Sequence, residues 1–133
     1  RWKGENVATS EVAEVINLLP DVRESVVYGV AIAGYEGKAG MAAIAADATP
    51  DLKRLRQHVR DNLPGYARPL FFRLRRGIDT TSTHKQRRLE LAGEGFDPSR
   101  VDDPIYFDHP AEEALVPVDR GLFDRIMSGE IRL

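Results

Sequence analysis

Residues 80–91 hold the part of this chain most able to do chemistry. Thr80, Thr81, Ser82 and Thr83 are followed by His84, one lysine at Lys85, then Gln86, Arg87, Arg88 and Leu89. Small hydroxyl side chains compete for backbone hydrogen bonds and favour turns and helix caps, so residues 80–83 read as a loop. From Gln86 on, Leu89 and Leu91 among charged neighbours read as a short amphipathic helix. Lys85 then falls at a loop–helix boundary, where a long cationic side chain can reach out of its own domain. Spacing alone is met more simply by a solvated basic turn. No complete active site accompanies it: His58, His84 and His109 are far apart and not at metal-ligand spacing. Ser82 and His84 are neighbours in a turn and rarely point at one another, and Asp102 with Asp103 reads as a charged turn. The chain by itself is not expected to be an active enzyme.

Composition bounds the rest. One domain of 133 residues can bury a core without staples, and 42% hydrophobic with 30% charged residues is a globular composition rather than a disordered one. A formal net charge of −2 exerts no long-range pull on nucleic acid, and none is expected as a partner. With no cysteine there is no disulfide framework or thiol nucleophile. No apolar run approaches the length of a bilayer span, and no signal peptide is visible. Since residue 1 is not Met and falls inside a motif, the chain is expected to be a piece of a longer one.

The elements that would position Lys85 follow from periodicity. Residues 1–7 are expected to be extended, with a turn at Gly4. Thr9 or Ser10 should cap a helix whose buried face is Val12, Val15, Ile16 and Leu19, with Glu11 in its first turn. The apolar, β-branched run 26–32 predicts a strand covered on both faces. Gly34, Gly37 and Gly40 then fit a hairpin turn, with residues 41–46 returning, better than a phosphate loop, because no helix start follows them. Pro50 and Asp51 open a second helix with Leu52, Leu55, Val59 and Leu63 inside and Lys53, Arg54, Arg56 and Arg60 outside. Residues 70–75 alternate and read as a half-exposed edge strand. The expected class is α+β: a small sheet, with a central hairpin and edge strands, backed by two helices. After a 1–97 core, a 98–133 tail is expected to carry a short strand at 104–107 and a helix at 119–127 closed by Gly129, packed on this domain or on a neighbouring one.

Two separated stretches also carry a resemblance. Ser82 to Arg88, with Lys85 and an arginine three residues later, resembles the late lysine motif of the acyl-adenylate-forming enzymes. The opening stretch, Gly4 with Val7, Thr9 and Glu11-Val12, resembles the glycine-centred motif that follows the interdomain hinge of that superfamily. Residues 1–7, 28–42 and 126–133 look like the fatty-acid-transport-protein branch, the very-long-chain acyl-CoA synthetases. His84 stands where most of the superfamily has glycine, a departure that bears on the reach of Lys85.

The resemblance implies a mobile C-terminal domain that serves an N-terminal domain holding nucleotide, Mg2+ and the acyl chain. It implies ATP-dependent conversion of a fatty acid to acyl-AMP, then attack by CoA, with Lys85 as the adenylation lysine. Gly4, with Lys3, Glu5 and Asn6, would face CoA in a second pose. It also implies a cytoplasmic parent with peripheral membrane association. A non-catalytic interaction module using the lysine loop or the basic helix, or the C-terminal domain of an adenylating enzyme that does not use CoA, remain alternatives.

Overall fold

The computed structural model describes residue 2, residues 6–76 and residues 83–133, with the His84 side chain left aside. Within these residues the chain forms five strands and four α-helices. In order they are α1 (Thr9–Asn17), β1 (Glu24–Val30), β2 (Ala39–Ala45), α2 (Leu52–Asn62), β3 (Phe71–Arg75), α3 (His84–Glu94), β4 (Ile105–His109), β5 (Ala114–Pro117) and α4 (Arg120–Met127). One sheet holds all five strands in the order β1-β2-β3-β4-β5, antiparallel except for the parallel β2–β3 pair, whose strands are joined through α2. The α+β class stands.

Both faces of the sheet are covered, which is why β1 reads as an unbroken apolar run. Val26, Tyr28 and Val30 face one cluster with Phe71, Leu91, Phe107 and Ile126, under α3 and α4. Val27, Ala42, Ile44 and Phe72 face the other, against Val12 and Ile16 of α1 and Leu55 and Val59 of α2. The alternation of a strand distributes one sequence run between two cores. On the first face the ring of Phe71 stacks at 4.1 Å on Phe96 and lies 5.3 Å from Phe107.

Several expectations need correction. Residues 70–75 do not form an edge strand: β3 is the middle strand, with Phe71 and Arg73 both buried. The alternation misleads because Arg73 is a charged residue facing inward. Its guanidinium lies 2.8 Å from Asp103 and 3.1 Å from Glu94. Burial opposes its charge, but the Asp103 hydrogen bond and the nearby Glu94 prevail, so Arg73 holds its proton more tightly than an ordinary arginine. The β1–β2 hairpin consequently lies at one edge rather than at the centre. The tail supplies β4, β5 and α4, with β5 unforeseen, and packs on this domain's own sheet.

Helix ends show the same mixture. Asp51 caps α2 by accepting from Lys53 and Arg54 N–H, and Asp119 caps α4 through Leu122 N–H. For α1 the cap is Ala8, without a side-chain bond, in place of Thr9 or Ser10. Arg56, expected outside, is mostly buried in a 2.7 Å ion pair with Asp108 of β4.

The Tyr28 hydroxyl is buried and has no hydrogen-bond partner among the described residues. Burial pushes it well above the usual phenol range. Unfolding therefore releases a proton above about pH 10, the ordinary tyrosine value. The Tyr28 contribution to stability is intact below that pH and is lost as pH rises through it. Tyr28→Phe is expected to change stability at pH 7 by no more than about 1 kcal/mol, in either direction. It should also flatten the loss above about pH 10. Urea unfolding at pH 7 and pH 10.5 checks both; a larger destabilisation at pH 7 would reveal a partner for the hydroxyl.

Candidate functional site

Lys85 occupies the first turn of α3, and its side chain is exposed. The helix begins at His84, two residues earlier than expected, because Thr83 and Gln86 form a capping box. Thr83 Oγ1 accepts from Gln86 N–H at 3.1 Å, and Thr83 N–H donates to Gln86 Oε1 at 3.0 Å. Such an arrangement satisfies two backbone donors at a helix start and is worth about 1 kcal/mol. One turn on, Arg87 donates to Glu24 of β1 at 3.0 Å. At the far end of the helix, Glu94 meets Arg73. Leu91 is buried, whereas Leu89 is 64% exposed, so the two leucines do not share the buried face expected of them.

Lys85 lines a cleft of about 620 Å3 between the start of α3 and the edge of the sheet. Lys38 from the hairpin, Arg68 from the turn before β3 and Arg88 from α3 line it too, and its described lining includes no carboxylate. The exposed side chains of Tyr66 and Leu89 add apolar surface. Four cations around one opening give it a positive local field that favours anions. Arg68 is held in place by donating to the carbonyls of Leu63 and Arg60 at 2.9 and 3.0 Å, at the end of α2.

The opening segment reaches the same cleft through Val7 and Thr9. Trp2 is buried at the hairpin, bridging Gly37, with its ring 5.4 Å from that of Tyr35. Asn6 is exposed, while Gly4, Lys3 and Glu5 lie outside the described residues. His58 lies 2.7 Å from the Val15 carbonyl, and His109 Nδ1 accepts from Ala111 and Glu112 N–H. His58 thus ties α2 to α1, and His109 closes its own turn. Among the described residues, no three His, Cys, Asp or Glu side chains could together hold a metal.

Sequence reasoning overlooked Lys38, Arg68 and Tyr66 as parts of the site. Lys38 and Tyr66 each follow a turn glycine and Arg68 precedes Pro69, so none carries a local mark of function; only the fold brings them beside α3. The place of Lys38 has a backbone cause, since a Cβ at Gly29 would lie 2.7 Å from Lys38 Cβ. Gly29 therefore leaves room for the lysine stem to lie over β1.

The sequence pattern of the family described as AMP-binding enzyme C-terminal domain matches residues 11–85, ending on the lysine itself. The chain belongs to that family. It is 47% identical over 135 aligned residues to human long-chain fatty acid transport protein 3 and 44% identical to mouse long-chain fatty acid transport protein 6. Both alignments take in the whole chain, tail included, but only 20% and 22% of those proteins. The chain thus spans about a fifth of the curated relatives it matches. The fold is also that of coronafacic acid ligase from Pectobacterium brasiliense in its R395G form, at a TM-score of 0.60 and 21% identity, over 68% of this chain and 18% of that one. The amide bond synthetase from Marinactinospora thermotolerans aligns at 0.57 and 30% identity, over 68% of this chain and 19% of that one. The resemblance to the acyl-adenylate-forming enzymes and to the fatty-acid-transport branch stands. Among the described residues, no helix is long and apolar enough to cross a membrane.

Gly29→Ala is expected to destabilise the domain by about 1–3 kcal/mol, because the atom it meets is the base of a side chain rather than a flexible end. Urea unfolding measures this; an unchanged midpoint would show that the hairpin end yields freely.

Proposed function

We propose that this domain is the lysine-donating C-terminal domain of an ATP-dependent fatty acyl-CoA ligase of the AMP-forming kind. The observation that carries the reading is Lys85, exposed in the first turn of α3 on a cleft lined by cations and ending the family match. Identity of 44–47% to long-chain fatty acid transport proteins supports a fatty acid as the substrate. One solved relative, o-succinylbenzoate coenzyme A synthetase from Bacillus subtilis in complex with AMP, is a CoA synthetase by name.

In this reading, ATP, the fatty acid and Mg2+ are held by an N-terminal domain. During adenylation the fatty-acid carboxylate attacks the α-phosphorus of ATP and pyrophosphate leaves. Negative charge crowds between the carboxylate and the α-phosphate, and the Lys85 ammonium bridges them. A fixed cation aimed at such charge is worth roughly 3–4 kcal/mol, or about a hundred- to thousandfold in rate. A compact ammonium suits the task, and arginine is not an equivalent. In the second step the CoA thiol attacks the acyl carbonyl and AMP leaves. The domain then presents Gly4, with Lys3, Glu5 and Asn6, to CoA, and glycine leaves room for the pantetheine arm. The two poses form a hinge-type switch. A cytoplasmic protein with peripheral membrane association belongs to the same reading.

The amide bond synthetase relative favours one second reading, an adenylate passed to an acceptor other than CoA. Acyl-AMP formation without any CoA thioester would select it.

The test is Lys85→Ala in the full-length protein that carries this domain, with the half-reactions scored separately. Acyl-AMP formation should fall by about a hundredfold or more, while thioester formation from supplied acyl-AMP stays within a few-fold of wild type. Two unchanged half-reactions in a stably folded protein would contradict the proposal.

A further inference from the structure

We infer that Thr83 and Gln86 are positioning residues for Lys85, so that the capping box sets the rate of adenylation without touching substrate. The inference rests on the role proposed for Lys85. It starts from a conflict in the first turn of α3. A helix N-terminus carries partial positive charge, which favours acids there and disfavours cations. This turn contains Lys85 and no acidic residue, and Arg87 and Arg88 follow at once. Local electrostatics therefore work against the turn, and a sequence breaks such a rule chiefly where function asks for it.

Two features hold the turn against that repulsion. The reciprocal Thr83–Gln86 bonds, at 3.1 and 3.0 Å, close around residues 84 and 85, and Arg87 N–H begins the helical ladder on the Thr83 carbonyl at 3.0 Å. The Arg87–Glu24 pair ties the next residue but one to β1. Without the box, the turn from residue 84 to 86 frays while the helix beyond Arg87 stays docked. The Lys85 ammonium then loses its fixed direction, and a catalytic cation misplaced by about 1 Å loses much of its effect.

The variants are Thr83→Val, which keeps the size and β-branching but removes the acceptor, and Thr83→Ser, which restores it. Both are made in the full-length protein, alone and with Lys85→Ala. Thr83→Val is expected to lower the rate constant for acyl-AMP formation about five- to tenfold and to leave thioester formation from supplied acyl-AMP unchanged. Thr83→Ser should stay within about twofold of wild type, since serine caps as well as threonine. On the Lys85→Ala background, Thr83→Val should add no further loss, because the group it positions is gone. An equal loss on both backgrounds, or loss of both half-reactions, would mark a structural defect and overturn the inference. Unchanged adenylation in Thr83→Val, where Lys85→Ala is impaired, would also overturn it and leave the lysine's role standing. If Lys85→Ala itself adenylates normally, the proposed function fails and the inference fails with it.

Discussion

A guanidinium buried in the middle of a sheet must be paired, and this requirement organises the domain. Arg73 sits on the central strand with its side chain 5% exposed. Its partners come from the last residue of α3 and from the turn before β4: Glu94 and Asp103. Losing one partner of such a group is commonly far costlier than the net worth of the intact pair, because an uncompensated charge remains inside. The pairing therefore fixes the C-terminal end of α3 to the sheet and ties the tail to the same point. Both carboxylates retain some exposure, which tempers the strength of the network without relaxing its geometry.

Seen from that anchor, α3 is a strut held at both ends. Glu94 fastens one end to β3, Leu91 is buried beneath the helix, and Arg87 fastens the other end to β1 through Glu24. Lys85 projects just beyond the last of these attachments, into a cleft whose other cations come from the hairpin, the turn before β3 and α3 itself. Rigid support behind a single projecting charge would suit a lent catalytic group, since pre-organised charge stabilises a transition state without reorganising at the moment of reaction. Stability alone gives no reason for a lysine in that turn.

Much of this was legible in the sequence. Local chemistry identified the helix starts at Asp51 and Asp119, the hairpin, the doubly covered β1 and the lysine at the head of a helix. Interactions across long sequence separations were not legible. The alternation of residues 70–75 placed Arg73 outside, because nothing nearby announces that Asp103, thirty positions on, will neutralise it. Arg56 escaped in the same way, paired with Asp108 across fifty-two positions. Leu89 was misplaced because two leucines two residues apart cannot share one helix face. The cleft was least legible of all, since Lys38, Tyr66 and Arg68 meet Lys85 only through the fold.

The central claim is that the Lys85 amine enters an adenylate site on a neighbouring domain. The most direct measurement is amine-reactive labelling of the full-length protein, read by mass spectrometry, with and without a non-hydrolysable acyl-sulfamate analogue of acyl-AMP. The account predicts that Lys85 labels readily in the free protein and is strongly protected by the analogue. Lys53, exposed on α2, should label equally in both. Equal labelling of Lys85 with and without a bound analogue would contradict it.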